Sequence, residues 1–168
     1  MVRLSTRGAV RGVSLIEVMV AILVFSIGML GLALLQMKGA KFTRESASRT
    51  SAIILARSLA ESMRANPAGA LPTSGDSAYL YTGDTKYTQA QCDTTALTSP
   101  QAIAARDLAC WQIALNKAIP TPTGAGTKLA TVTKDASLGT LTITVSWAGV
   151  ADDPTADATE SYSFSYLQ

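Results

Sequence analysis

The sequence predicts an α+β fold: a long N-terminal α-helix, transmembrane in its first half and amphipathic in its second, packed against a small antiparallel β-sheet head with one additional short helix. Three observations carry this expectation. Residues 18–37 hold no charged side chain, apolar positions recur every three or four residues from Ile53 to Met63, and the C-terminal part alternates apolar with hydroxyl side chains. The chain of 168 residues suits one modest domain plus an appendage. It divides into a basic leader (1–12), an apolar half helix (13–37), an amphipathic half helix (38–66) and a globular head (67–168).

The leader explains the charge balance. The formal net charge is +2, but Arg3, Arg7 and Arg11 all precede Val13, and without them 11 basic side chains face 12 acidic ones. After Lys134 there are only acids: Asp135, Asp152, Asp153, Asp157 and Glu160. Such a chain has no surface for a phosphate backbone, so nucleic acid is not an expected partner. There is no histidine, which removes the commonest general base and the commonest metal ligand together.

The apolar run is 20 residues long and, as a helix, spans about 30 Å, the thickness of a bilayer core. A secretory signal has a shorter apolar region, about 7 to 15 residues, followed by a small-x-small cleavage site. Lys38-Gly39-Ala40 places a charge where a small residue is wanted, so the segment is expected to stay attached. The arginines orient it with its N-terminal side in the cytoplasm and the head in the periplasm. Glu17 opens this segment, although a charge at the centre of a membrane helix costs roughly 2.5 to 3.5 kcal/mol on insertion scales. An acid in that place marks a functional site that needs a cationic partner.

Helical signals continue past Lys38. Ile53, Ala56, Ala60 and Met63 form a stripe that Leu55 and Leu59 broaden, until Asn66-Pro67 stops it. A helix over residues 14–65 is about 78 Å long. Gly28 and Gly31 interrupt the apolar half, where they suit close helix packing, although the Gly-x-x-x-Gly spacing is missing. A plain membrane anchor followed by a stalk would satisfy the same features.

In the head, residues 68–99 are rich in Gly, Ser, Thr, Asp and Tyr and read as a long loop with a short strand near Tyr79 to Tyr81. Ser99-Pro100 supplies a helix cap and a first-turn proline. Ala104, Leu108, Trp111, Leu115 and Ile119 then define an amphipathic helix that ends at Pro120, with Trp111 directed to the core. Cys92 and Cys110 lie on the same side of the apolar run, so an exported chain places both in an oxidising compartment and a single disulfide follows. In a reducing compartment they would be two unrelated thiols. Leu141, Ile143, Val145 and Trp147 alternate with Thr140, Thr142, Thr144 and Ser146, and Tyr162, Phe164 and Tyr166 with Ser161, Ser163 and Ser165. With residues 129–133 as a further strand, they predict an antiparallel meander of three or four strands with its hydroxyl face outward.

The motif Gly12-Val13-Ser14-Leu15-Ile16-Glu17 resembles the class III signal of type IV prepilins. In that family a glycine precedes the cut and a glutamate stands fifth after it. The resemblance implies cleavage between Gly12 and Val13 by a prepilin peptidase, N-methylation at Val13 (usually Phe or Met in the family), and retention of the helix. The new amine, with a reference pKa of about 7.7 to 8, would be cationic one helical turn from Glu17. Glu17 can neutralise its own amine or that of a neighbouring subunit, and an unpaired Glu17 makes any other axial register costly. The head, with Trp111 through Ile119-Pro120, Gly124-x-Gly126 and a strand ending Val145-Ser146-Trp147, is similar to minor pilins of the PilV type. These support pilus assembly or initiation, twitching motility and adhesion.

Other chemistry is weaker. Asp152, Asp153, Asp157 and Glu160 have the oxygen donors calcium prefers, without the EF-hand spacing or its glycine, and read as a solvated turn. Tyr79, Tyr81 and Tyr87 read as loop tyrosines half-packed on a sheet, with an adhesive patch as the alternative. The expected function is thus a minor pilin, first a single-pass inner-membrane protein and then part of a cell-surface pilus. Its expected partners are other major and minor pilins, the prepilin peptidase, the inner-membrane assembly platform and, before extraction, the membrane. Neither catalytic residues, cofactor, metal nor small-molecule substrate is expected. A pseudopilin of a type II secretion system shares the N-terminal logic, and an anchored periplasmic enzyme would lack a nucleophile-base pair.

Overall fold

The computed structural model describes residues 12, 14–135, 137–149 and 158–166. In chain order the elements are α1 (Leu15–Ala65), α2 (Pro67–Ala70), α3 (Gln89–Cys92), α4 (Pro100–Ala118), β1 (Ala130–Lys134), β2 (Leu141–Ala148) and β3 (Thr159–Tyr166). The chain separates into two compact units, residues 1–41 and 42–168, and α1 contributes to both. In the first unit the described residues are helical from Leu15 onward and every side chain is exposed.

The second unit is the head with the remainder of α1. Its sheet has the order β1-β2-β3 and is antiparallel throughout. Val145 stands opposite Ala130 on one side and Tyr162 on the other, and Ile143 stands opposite Val132 and Phe164. Alternation therefore sends Leu141, Ile143, Val145 and Trp147 into the core. On the other face, hydroxyls pair across the strands, Thr142 with Ser165 (3.3 Å) and Thr144 with Ser163 (3.0 Å). Ser146 departs from the expected pattern. It is buried, and its N–H donates to Leu129 O, which continues the pairing one residue beyond β1.

The core joins Ala52, Ala56, Leu59, Ala60 and Met63 of α1 to Ala104, Leu108, Trp111 and Leu115 of α4 and to the inner face of the sheet. The expected stripe of α1 is buried at Ala56, Leu59, Ala60 and Met63 and differs at its start, where Ala52 is buried and Ile53 and Leu55 only partly so. Alanines at three of these positions let neighbouring elements approach α1 closely. Trp111 is core, and its indole N–H also donates to Leu55 O of α1 (3.0 Å).

The expected long loop over 68–99 is corrected in two places. Two four-residue helical turns interrupt it, α2 after Pro67 and α3 under a capping box in which Thr88 N–H donates to Gln91 Oε1 (2.8 Å). In place of a strand at 79–81 there is one bridge, Tyr81 with Val132, sealing the free edge of β1. The tyrosines are corrected as well. Tyr79 and Tyr81 are buried core residues, and only Tyr87 is half-buried.

Candidate functional site

The N-terminal segment is built on the first turn of α1. Gly12 and Ser14 precede the helix and are exposed, and Ser14 O accepts from Glu17 N (3.0 Å) and Val18 N (3.3 Å), closing the first turn. Glu17 is the acidic residue of that turn. Four N–H groups at a helix start lack intrahelical acceptors, so a carboxylate there is favoured by the helix dipole. The rest of the segment is apolar around its whole circumference, and from Leu15 to Met37 the large hydrophobic side chains are all exposed. The helix is long and apolar enough to cross a membrane. The one hydroxyl between Leu15 and Met37, Ser26, donates back to Ile22 O (2.7 Å) and so needs no outside acceptor.

Gly28 and Gly31 give the same message. A methyl group added at either would meet nothing within 4 Å. Among the described residues no close approach accounts for them, so they suit close packing of another helix. Among the sequence-predicted residues, Gly12 and Glu17 lie before and within the first turn, whereas Val13, and with it the amine that would face Glu17, lies outside the described residues. Asp152, Asp153 and Asp157 also lie outside them, and Glu160 is exposed on β3.

Cys92 ends α3 and Cys110 lies in the middle of α4, and the structure bonds them, with Cα atoms 4.7 Å apart. The bridge closes a loop of 18 residues, worth about 3 kcal/mol in the chain-entropy model. It ties the turn-rich segment to the rigid helix whose Ser99 cap accepts from Ala102 N (3.1 Å).

A polar network missed by the sequence reading fixes the end of α1 in the head. Asn66 Nδ2 donates to Pro100 O (2.8 Å) and to Tyr79 Oη (3.3 Å), and the Tyr79 hydroxyl lies 2.7 Å from Asp107 Oδ2 and 3.3 Å from Ser62 O. Burial, reinforced by the Asp107 carboxylate, pushes the Tyr79 phenol well above the usual tyrosine range. Gly69 completes the junction, since a methyl there would overlap Asn66 Nδ2 and lie 2.9 Å from Pro100 O. A second buried amide, Gln112, accepts from Tyr87 N (2.7 Å) and donates to Tyr81 Oη and Thr85 O. Asp107 and Gln112 flank the apolar stripe of α4, and polar residues at the edges of a buried face were the available signal. Among the described residues no group of three or more His, Cys, Asp or Glu could hold a metal ion.

Two comparisons bear on this arrangement. Residues 7–33 match the family model of the prokaryotic N-terminal methylation motif, and residues 34–109 match that of the Tt1218-like family, type IV pilin Tt1218. No curated protein and no solved structure matches the chain significantly.

Proposed function

The chain is a type IV pilin with a class III signal, and from that premise we propose that it is a minor subunit of the PilV type, incorporated into a pilus through its N-terminal helix. As a pilin it is a structural subunit and not an enzyme, with other pilins and the prepilin peptidase as partners. Its membrane anchor is the apolar helix, from which it passes to the pilus. In the proposed reading the leader is residues 1–12, the anchor and assembly helix 13–37, its amphipathic continuation 38–66 and the head 67–168. The peptidase cuts between Gly12 and Val13, Val13 is methylated, and the head waits in the periplasm beside an inner-membrane assembly platform. The finished subunit supports pilus assembly, twitching motility and adhesion.

One observation carries the assembly step: the apolar N-terminal half of α1 has every described side chain exposed and is headed by a first-turn carboxylate. In a bilayer the apolar circumference is satisfied by lipid but Glu17 is not. In a helix bundle both are satisfied when a neighbouring subunit supplies its N-terminal amine. Glu17 therefore selects the axial register. Glu17→Ala should leave processing intact and abolish incorporation into sheared filaments. Normal incorporation of that variant would refute the pairing.

A further inference from the structure

We propose that the head carries a receptor pocket for an acidic saccharide, in the cleft between residues 81–87, the C-terminal half of α4 and residues 121–130. The proposal deepens the adhesive part of the reading above, but its test needs no filament, so its failure would leave the assembly role standing. The cleft has a volume of about 400 Å³, within the usual range of small-ligand sites.

Its walls are held before any ligand arrives. Gln112 pins three points of the 81–87 segment, the Lys128 ammonium pairs with Asp84 across the cleft, and that pairing holds the Asp84 carboxyl below its ordinary range. Gly83, at φ 85°, brings the backbone so close that a methyl would lie 2.7 Å from Lys128 Cβ and 2.8 Å from Ala130 O. The buried Tyr81 ring is wedged edge-on against Trp111, with centroids 6.1 Å apart at 78°, and Tyr87 lies 6.2 Å from Tyr81. A site fixed in this way loses little freedom on binding.

The groups left over define the ligand. Tyr87 is half-buried and also lines the cleft, so part of an aromatic surface remains for the C–H face of a sugar ring. Tyr87, Asn116 and Lys86 line the same cleft, and no described residue hydrogen-bonds the Tyr87 hydroxyl or the Asn116 amide or pairs with the Lys86 ammonium. An amide and a phenol exchange hydrogen bonds with sugar hydroxyls, while a free ammonium calls for a carboxylate. With Lys128 neutralised by Asp84, Lys86 leaves the cleft one positive charge in excess. A peptide carboxylate would use Lys86 but not the ring and the amide together.

The test is calorimetric titration of the full chain, in a detergent without a sugar headgroup, with sialyllactose and with lactose as the neutral probe. Sialyllactose should bind about tenfold more tightly than lactose, the discrimination of one charge-assisted contact. Lys86→Met should abolish that preference, and Asn116→Ala should weaken both sugars. Lys117→Met, an exposed cation of α4 that does not line the cleft, should change neither. Equal binding of the two sugars, no binding of either, a preference that survives Lys86→Met, or tighter binding of an acidic hexapeptide would each overturn the proposal.

Discussion

The two halves of α1 share one secondary structure and answer to different constraints. Leu23 is 60% exposed while Leu59 is 1% exposed. Near Leu23 every described side chain is exposed, and the sequence is uniformly apolar with two glycines at which an added methyl would meet nothing within 4 Å among the described residues. Near Leu59 the apolar positions narrow to one stripe, alanines set the approach of the neighbours, and Asn66 ends the helix in a buried hydrogen-bond network. A helix half written for partners keeps its whole circumference apolar. A half written for its own domain keeps one face.

The same substitution in both halves should break the symmetry most visibly. Leu59→Ala should destabilise the head by about 2 to 5 kcal/mol, the cost of a core cavity, whereas Leu23→Ala should leave head stability unchanged. Urea unfolding followed by tryptophan fluorescence separates the two, because both tryptophans, Trp111 and Trp147, are buried in the head. A smaller contrast is expected between the glycines. Gly69→Ala should cost about 1 to 3 kcal/mol through overlap at the junction. Gly28→Ala should leave the unfolding curve in place and show its effect only in filament incorporation.

Smallest is the effect of Tyr79→Phe, about 1 to 2 kcal/mol for a lost buried hydrogen bond, but it carries a pH signature. The native phenol is raised, so its contribution is complete below the unfolded tyrosine value of about 10 and is lost as pH rises through the higher folded value. The wild-type urea midpoint should therefore fall more steeply between pH 9 and about pH 11 than that of Tyr79→Phe. Tyr81 and Tyr87, also raised by burial, leave the variant a residual fall of the same sign. Parallel curves would remove Tyr79 from the junction's account.

Much of this architecture was legible because its signals are local. The Ser99-Pro100 cap, the four-three-four spacing of α4 and the alternation of β2 and β3 each lie within a few residues of what they specify. The capping box of α3, Thr88-x-x-Gln91, is equally local but lies within a composition that reads as loop. Other features were out of reach because their partners are remote in sequence. Tyr79 is core because Asp107 and Asn66 satisfy its hydroxyl, and Tyr81 because Gln112 and β1 meet it. In the N-terminal segment the sequence says more than the folded chain does, since among the described residues nothing covers the exposed apolar run and no cation pairs with Glu17.

The central claim is that this half-helix becomes a docking element once the chain is cut before Val13. Mass spectrometry of the mature N-terminus tests it most directly. The mature protein should begin at Val13 and carry one added methyl group, while a mature chain that begins at Met1, or after residue 30, would contradict the docking role.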